Sequence, residues 1–294
     1  MPFVPKRYAA PVFLFSFGEM PWPDELKRPM ALVFDGLGSL HVSDFEAGAV
    51  RVFSKEGEYL YSYGEHGAGN LQTPYGLAYY SGRVYVADNI ARRVLTFSRK
   101  GEFLGVFLAS GEGEADVFIP TALAVNLDNG HLYIADVYGH RVLVADQQGK
   151  VLFSVGSGGG GTGELSYPNG VALDKKSNIY VADSSNARIQ VFSPDGDRVE
   201  RIIGGKGKSD SLSVPRGLAV DNNGLLWLAD VLTHTVSVFN GANRLYELGG
   251  LGTDEGLLYF PNSVALAGDG SLYVAERGLG RISVFGNRGG VIKN

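Results

Sequence analysis

The chain has no cysteine, which excludes a disulfide framework, a thiolate metal site and a cysteine nucleophile, and leaves the redox compartment open. Long hydrophobic runs are missing as well. None approaches the roughly 18 residues needed to span a bilayer, so no membrane span is expected. No segment keeps a helical period. Charge is sparse, with 19% charged residues and a net charge of −5, which argues against broad binding to nucleic acid or anionic membrane but not against a local basic patch. The first residues, "MPFVPKRYAAPVFLFSFG", contain a short apolar run and no cleavage pattern, so no signal peptide is expected. The expectation is a soluble chain of open compartment, extracytoplasmic if a signal has been removed.

Glycine is what the sequence has in excess: 42 of 294 residues, about twice the usual share. Collagen spacing is absent, which leaves many tight turns as the reason. With 45% apolar residues the chain can bury a sizeable core, as two average domains or one large all-β domain.

Internal repeats decide between these. The segment "YVAD" ending at Asp183 recurs as "LHVSD" at Asp44, "VYVAD" at Asp88, "LYIAD" at Asp136, "LWLAD" at Asp230 and "LYVAE" at Glu276, with spacings of 44, 48, 47, 47 and 46 residues. Each unit opens on a proline: Pro29, Pro74, Pro120, Pro168, Pro215, Pro261. A short apolar strand, a turn, the strand ending in the acid, a third strand such as "RIQVF" (Arg188–Phe192), a hairpin turn and a fourth strand follow. Four strands in a repeat of this length describe a propeller blade, so the sequence predicts an all-β fold, a six-bladed β-propeller of four-stranded antiparallel blades. The last repeat has only three strands. "PVFLFSFGE" (Pro11–Glu19) matches the outer strand "EYLYSYGE" (Glu58–Glu65), so the N-terminal strand is expected to close the last blade. One domain is expected over residues 1–294, with the closing strand at about 11–19 and repeats at about 29–65, 74–108, 120–156, 168–204, 215–249 and 261–286.

The repeat resembles the NHL family of β-propellers, whose units read approximately P-x-G-V-A-V-D-x-x-G-x-x-Y-V-A-D-x-x-N-H-R-V-x-V-F. "PNGVALDKKSNIYVADSSNARIQVFSPDG" (Pro168–Gly196) and "PRGLAVDNNGLLWLADVLTHTVSVF" (Pro215–Phe239) follow that pattern, and the family histidine survives as His140 and His234. The resemblance covers roughly Pro11 to Phe285, and no Trp-Asp blade ending is present.

The six acids Asp44, Asp88, Asp136, Asp183, Asp230 and Glu276 are read as structural. Each ends a second strand, where its carboxylate can accept N–H bonds from the following turn and pair with Arg93, Arg141, Arg188 or Arg281, five residues on. His140 and His234 are read as solvent-facing loop residues. The recurrent Phe53, Phe97, Phe192, Phe239 and Phe285 are read as inter-blade packing. The position just after each opening proline changes between neighbouring blades, with Asn occurring twice: Met30, Tyr75, Thr121, Asn169, Arg216, Asn262. It should face the channel mouth, and variation where strands converge points to ligand or partner contact, with a mere channel plug as the other reading. Tyr138 and Trp22 escape the repeat and are further surface candidates.

These residues lead to a non-enzymatic binding or scaffold propeller, recognising a protein, peptide or small ligand at the face bearing the inter-blade loops, with no catalytic residue and no cofactor expected. The alternative is a metal-dependent lyase or lactone hydrolase in the channel. The resemblance to amidating lyases implies zinc-binding histidines just after the prolines, and none of the six is His. The resemblance to gluconolactonase-like propellers implies channel calcium, for which "PNG" at Asn169 and "PNS" at Asn262 are suggestive but Arg216 is adverse. RNA binding, known for some NHL propellers, has only the segment from Arg198 through Arg201, Lys206 and Lys208 to Arg216, interrupted by acids.

One stretch imitates a nucleotide site. In "VLFSVGSGGGGTGELSYPNG" (Val151–Gly170), Gly156, Gly158 and Gly161 spell G-x-G-x-x-G, and Asp183 lies 22 residues past Gly161. The chain then meets Pro168 and a strand, so the helix that would hold a pyrophosphate is missing. No dinucleotide is expected, and the run is read as a flexible inter-blade crossing.

Overall fold

The computed structural model describes residues 10–19, 25–111, 118–205, 207 and 211–286. Trp22, Lys206, Lys208 and the first nine residues lie outside them. Six four-stranded antiparallel sheets form the blades of a propeller. The fourth blade shows the pattern: Pro168–Leu173 innermost, then Ile179–Asp183, Arg188–Phe192 and Val199–Gly204 outermost. The last blade takes Pro261–Leu266, Leu272–Glu276 and Arg281–Gly286 from the C-terminal part and its outer strand, Val12–Phe17, from the N-terminal part. The strand is antiparallel to Arg281–Gly286, and Phe13 meets Phe285 edge to face. The ring is thus closed by chain remote in sequence, as the repeat count predicts. Among the described residues the elements other than strands come to one short 3-10 turn, Ser184–Asn186, and no helix is long and apolar enough to cross a membrane.

Six buried apolar clusters occupy the six interfaces between neighbouring blades. Phe53, Phe97, Phe192, Phe239 and Phe285 each stand last or next to last in a third strand and pack toward the preceding blade. Burying such a ring is worth about 1.5–3 kcal/mol. The third blade has Ala145 at that place, and Phe118, from the connection that precedes the blade, fills the interface between the second and third blades instead.

Around the axis the innermost strands carry small residues at the third position: Ala31, Gly76, Ala122, Gly170, Gly217 and Ser263. The reason is close approach. A Cβ on Gly170 would fall onto the Arg216 carbonyl oxygen, and one on Gly217 would strike the backbone of Asn262 and Ser263. The central cavity is therefore only about 80 Å³. That holds a few waters, well below the roughly 300 Å³ at which small-molecule pockets begin.

Candidate functional site

Each opening proline pairs with its blade's acid, as Pro168 does with Asp183, so inter-blade connections and the loops after second strands gather at one end of the ring. Immediately after the proline the ladder shifts register in every blade; in the fourth, Gly170 already faces Ala182. Such a bulge frees the extra residue from pairing and re-aims its side chain. Met30, Tyr75, Thr121, Asn169, Arg216 and Asn262 all line one cavity at the axis. Tyr138 is not in that lining; it stands on the surrounding face and is 61% exposed.

Much of this variation is spent on closing the ring. A different donor crosses each of the six interfaces near the axis. Ser43 Oγ donates to the Tyr75 carbonyl at 2.5 Å, and Asn89 Nδ2 to that of Pro120 at 2.9 Å. Thr121 Oγ1 reaches the Pro168 carbonyl at 3.2 Å, and Ser184 Oγ that of Pro215 at 2.7 Å. Arg216 Nη1 donates to Asn262 Oδ1 at 3.2 Å, and Asn262 Nδ2 to the Met30 carbonyl at 2.8 Å. Met30, Thr121 and Asn262 are buried, whereas Tyr75, Asn169 and Arg216 keep access to solvent. Asn169 Nδ2 is held by the Tyr167 carbonyl at 2.9 Å and Ser184 Oγ at 3.2 Å.

Arg216 differs from the rest. Its Nη1 also donates to the Tyr75 hydroxyl at 2.6 Å, yet both partners are neutral, and its buried Nε has no acceptor among the described residues. Two further guanidinium groups stand nearby, missed by the sequence reading. Arg28 lies 5.3 Å over the Phe45 ring, which meets the Tyr75 ring edge-on at 6.2 Å. Arg277 lies 5.5 Å over the Phe260 ring. Burial holds the Arg277 pKa below the usual arginine value, and the neighbouring positive charges of Arg216 and Arg28 add to that. A signal was present: the residue after each acid, Phe45, Asn89, Val137, Ser184, Val231 and Arg277, is a second position that varies, with only the two valines alike.

The acids serve the frame, but by a route that corrects the expectation. Their main backbone partners lie before the proline rather than in the following turn. Asp44 accepts from the Lys27 and Arg28 N–H, Asp88 from Gln72 and Thr73, and Asp230 from Ser213 and Val214. Asp136, Asp183 and Glu276 accept from Ile119, Ser166 and Tyr259. Among the described residues only Ala47 and Gly139 donate their N–H from the turn that follows. Arg93, Arg141, Arg188 and Arg281 pair within their own blades, and Arg51 takes that place for Asp44.

His140 and His234 are also corrected. In four blades the N–H just before the proline goes to the blade's own acid. In the fourth and sixth, Tyr167 and Phe260 hold positive φ, 50° and 53°, and their N–H groups turn away. His140 Nδ1 accepts from Tyr167 at 3.1 Å and His234 Nδ1 from Phe260 at 3.0 Å. The histidines therefore brace the next blade's entry, and His234 is nearly fully buried. This also accounts for their occurring in only two blades.

The glycine run is likewise pinned rather than free. Ser157–Gly158 pairs in parallel with Glu164–Leu165, and Arg188 Nη2 donates to the Gly161 and Glu164 carbonyls at 2.6 and 2.9 Å. Asn186 Nδ2 donates to the Gly159 carbonyl at 2.9 Å. No group of three His, Cys, Asp or Glu side chains that could hold a metal gathers among the described residues. In the basic segment, Arg198 is paired with Glu200.

Three segments, 119–145, 165–192 and 212–239, match the family model described as NHL repeat. No curated protein sequence matches the chain. Among solved structures it is similar to a streptogramin B lyase, at 14% identity and a TM-score of 0.67, with 94% of this chain and 97% of that one covered. It is similar to a luciferin-regenerating enzyme at 13% identity and a TM-score of 0.70, covering 96% and 97%. An auxiliary nutrient binding protein from Bacteroides thetaiotaomicron gives 13% identity and a TM-score of 0.66, covering 89% and 69%. At such identities the likeness is one of fold, and it spans catalysts and a binding protein alike.

Proposed function

We propose that this six-bladed β-propeller, three segments of which match the NHL repeat, is a non-enzymatic binding platform recognising a protein, peptide or small ligand at the face bearing the inter-blade loops. The observation that carries this reading is Arg216: a guanidinium at the channel mouth with two neutral partners and a buried Nε left without an acceptor. A buried donor without a partner costs about 1–3 kcal/mol, which a bound acceptor recovers. The same face exposes apolar side chains around the mouth: Ile90 at 63%, Tyr138 at 61%, Leu232 at 55% and Tyr167 at 53%. They give a rigid frame a contact surface of mixed character. The narrow axial cavity favours a ligand resting on the mouth over one reacting inside the channel.

Affinity capture from the native source, with parent and Arg216→Ala/Asn169→Ala protein compared, tests the platform. A specific partner or ligand should be retained by the parent and largely lost by a variant whose melt is within a few degrees of it. Equal capture by both overturns the reading. The fold likeness to a lyase keeps one rival, a metal-dependent lyase or lactone hydrolase acting in the channel. Stoichiometric zinc or calcium in the purified protein would favour that rival.

A further inference from the structure

Arginine at the repeated acid positions is neutralised within its own blade. Arg188 Nε lies 2.7 Å from Asp183, Arg281 Nε 2.7 Å from Glu276, Arg93 Nη2 3.0 Å from Asp88. The mouth breaks this rule. Arg216 contacts only a phenol and an amide, and Arg277, half-buried over Phe260, has no carboxylate partner among the described residues. Arg28 meets Glu46 only on the exposed side, at 3.4 Å. Three guanidinium groups thus converge in a chain whose net charge is −5. Their mutual repulsion, felt at Arg277, is a cost that a bound anion would convert into attraction.

We propose that the mouth is an oxyanion site in which Arg216, Arg277 and Arg28, with the Tyr75 hydroxyl, take the carboxylate or phosphate group of a small ligand. The inference rests on the platform reading and names the chemistry of its ligand. Guanidinium forks match planar and tetrahedral oxyanions with paired N–H bonds. Phe45 and Phe260 hold two of the forks by their flat faces, so little side-chain freedom is lost on binding. Arg216 is fixed by Tyr75 and Asn262 with its Nε unspent. Below it, the small residues of the innermost strands block passage, so the anionic group points into the mouth and the rest of the ligand projects outward.

Isothermal titration at constant ionic strength, with inorganic phosphate in one arm and citrate in the other, tests this. The parent should bind at least one of them saturably. Arg216→Ala and Arg277→Ala should each weaken that binding by about tenfold, while Arg198→Ala, away from the mouth, leaves it unchanged. Tighter citrate assigns a carboxylate ligand, and tighter phosphate a phosphate ligand. Absence of saturable binding, or equal binding by the parent and a folded Arg216→Ala/Arg277→Ala protein, overturns the proposal. The two readings fail separately. A partner lost on Arg216→Ala/Asn169→Ala with no anion bound leaves the platform standing without the oxyanion chemistry. Anion bound through the arginines with capture unchanged leaves the small-ligand site and removes the capture surface.

Discussion

Two rings of residues lie at the same end of this propeller, and they differ in how they use variety. The acids at the ends of the second strands repeat almost without change, and each performs the same task of tying the connection before the proline to its blade. The residues after the prolines and acids vary around the ring, yet several of them, with Ser43 beside Asp44, perform one task as well, carrying a hydrogen bond across each interface. Repetition therefore marks structure here, but variation does not by itself mark function. What singles out Arg216 is an unmet need of its own, a guanidinium Nε without an acceptor among the described residues.

The comparison breaks most visibly at the acids. Asp183 is fully buried and holds Arg188, Asn186 and the Ser166 N–H. Asp183→Ala should cost about 3–5 kcal/mol in urea unfolding, because a buried guanidinium is left unpaired. Asp230 has backbone partners but no arginine at the equivalent place, where Thr235 stands, so Asp230→Ala should cost less, about 1–3 kcal/mol. Equal losses would mean that the arginines add nothing to the frame.

An intermediate effect comes from the blade that departs from its own pattern. Tyr85, Tyr133, Tyr180, Trp227 and Tyr273 occupy one repeated position, and His41 takes it in the first blade. His41 is buried, with Nδ1 3.0 Å from the Tyr63 hydroxyl and Nε2 3.8 Å from Asp35. Burial lowers its pKa to about 4, against the opposing pull of Asp35. The unfolded chain takes up this proton near 6.5 and the folded chain only near 4, so stability is intact above 6.5 and falls as pH falls toward 4. The loss should be on the order of 3 kcal/mol relative to a His41→Phe/Tyr63→Phe protein, read from urea unfolding at both ends of that window. Parallel pH profiles for the two proteins would contradict it.

The smallest effect belongs to the varied ring. Thr121→Val removes one hydroxyl that reaches the Ala135 and Pro168 carbonyls, each at 3.2 Å. It should cost about 1 kcal/mol and leave anion binding untouched. A larger loss would place more of the ring's stability at the axis than at the acids.

How much of this the sequence carried depends on the range of the interaction. Blade number, strand order and the borrowed N-terminal strand were legible because each repeat encodes its own hairpins locally and a missing strand leaves a countable gap. The ring after the prolines was legible for the same reason, as a place where the pattern fails. The cationic mouth was not. Arg28, just ahead of the first repeat, Arg216 in the fifth and Arg277 in the sixth are far apart in the chain, and nothing local to any of them announces the other two. His140 and His234 misled because a brace acting on the next blade's peptide cannot be read from the blade that supplies it. The glycine run misled because its anchors, Asn186 and Arg188, come from the blade that follows.

Sequence by itself determined the architecture, since hydrophobic alternation, turn residues and a fixed repeat length leave a propeller as the way to bury six like faces. Tertiary structure alone decided which polar groups are satisfied. Closing the ring brings side chains from distant repeats to one axis, where Thr121 and Asn262 find carbonyls across an interface and Arg216 is left with a donor to spare.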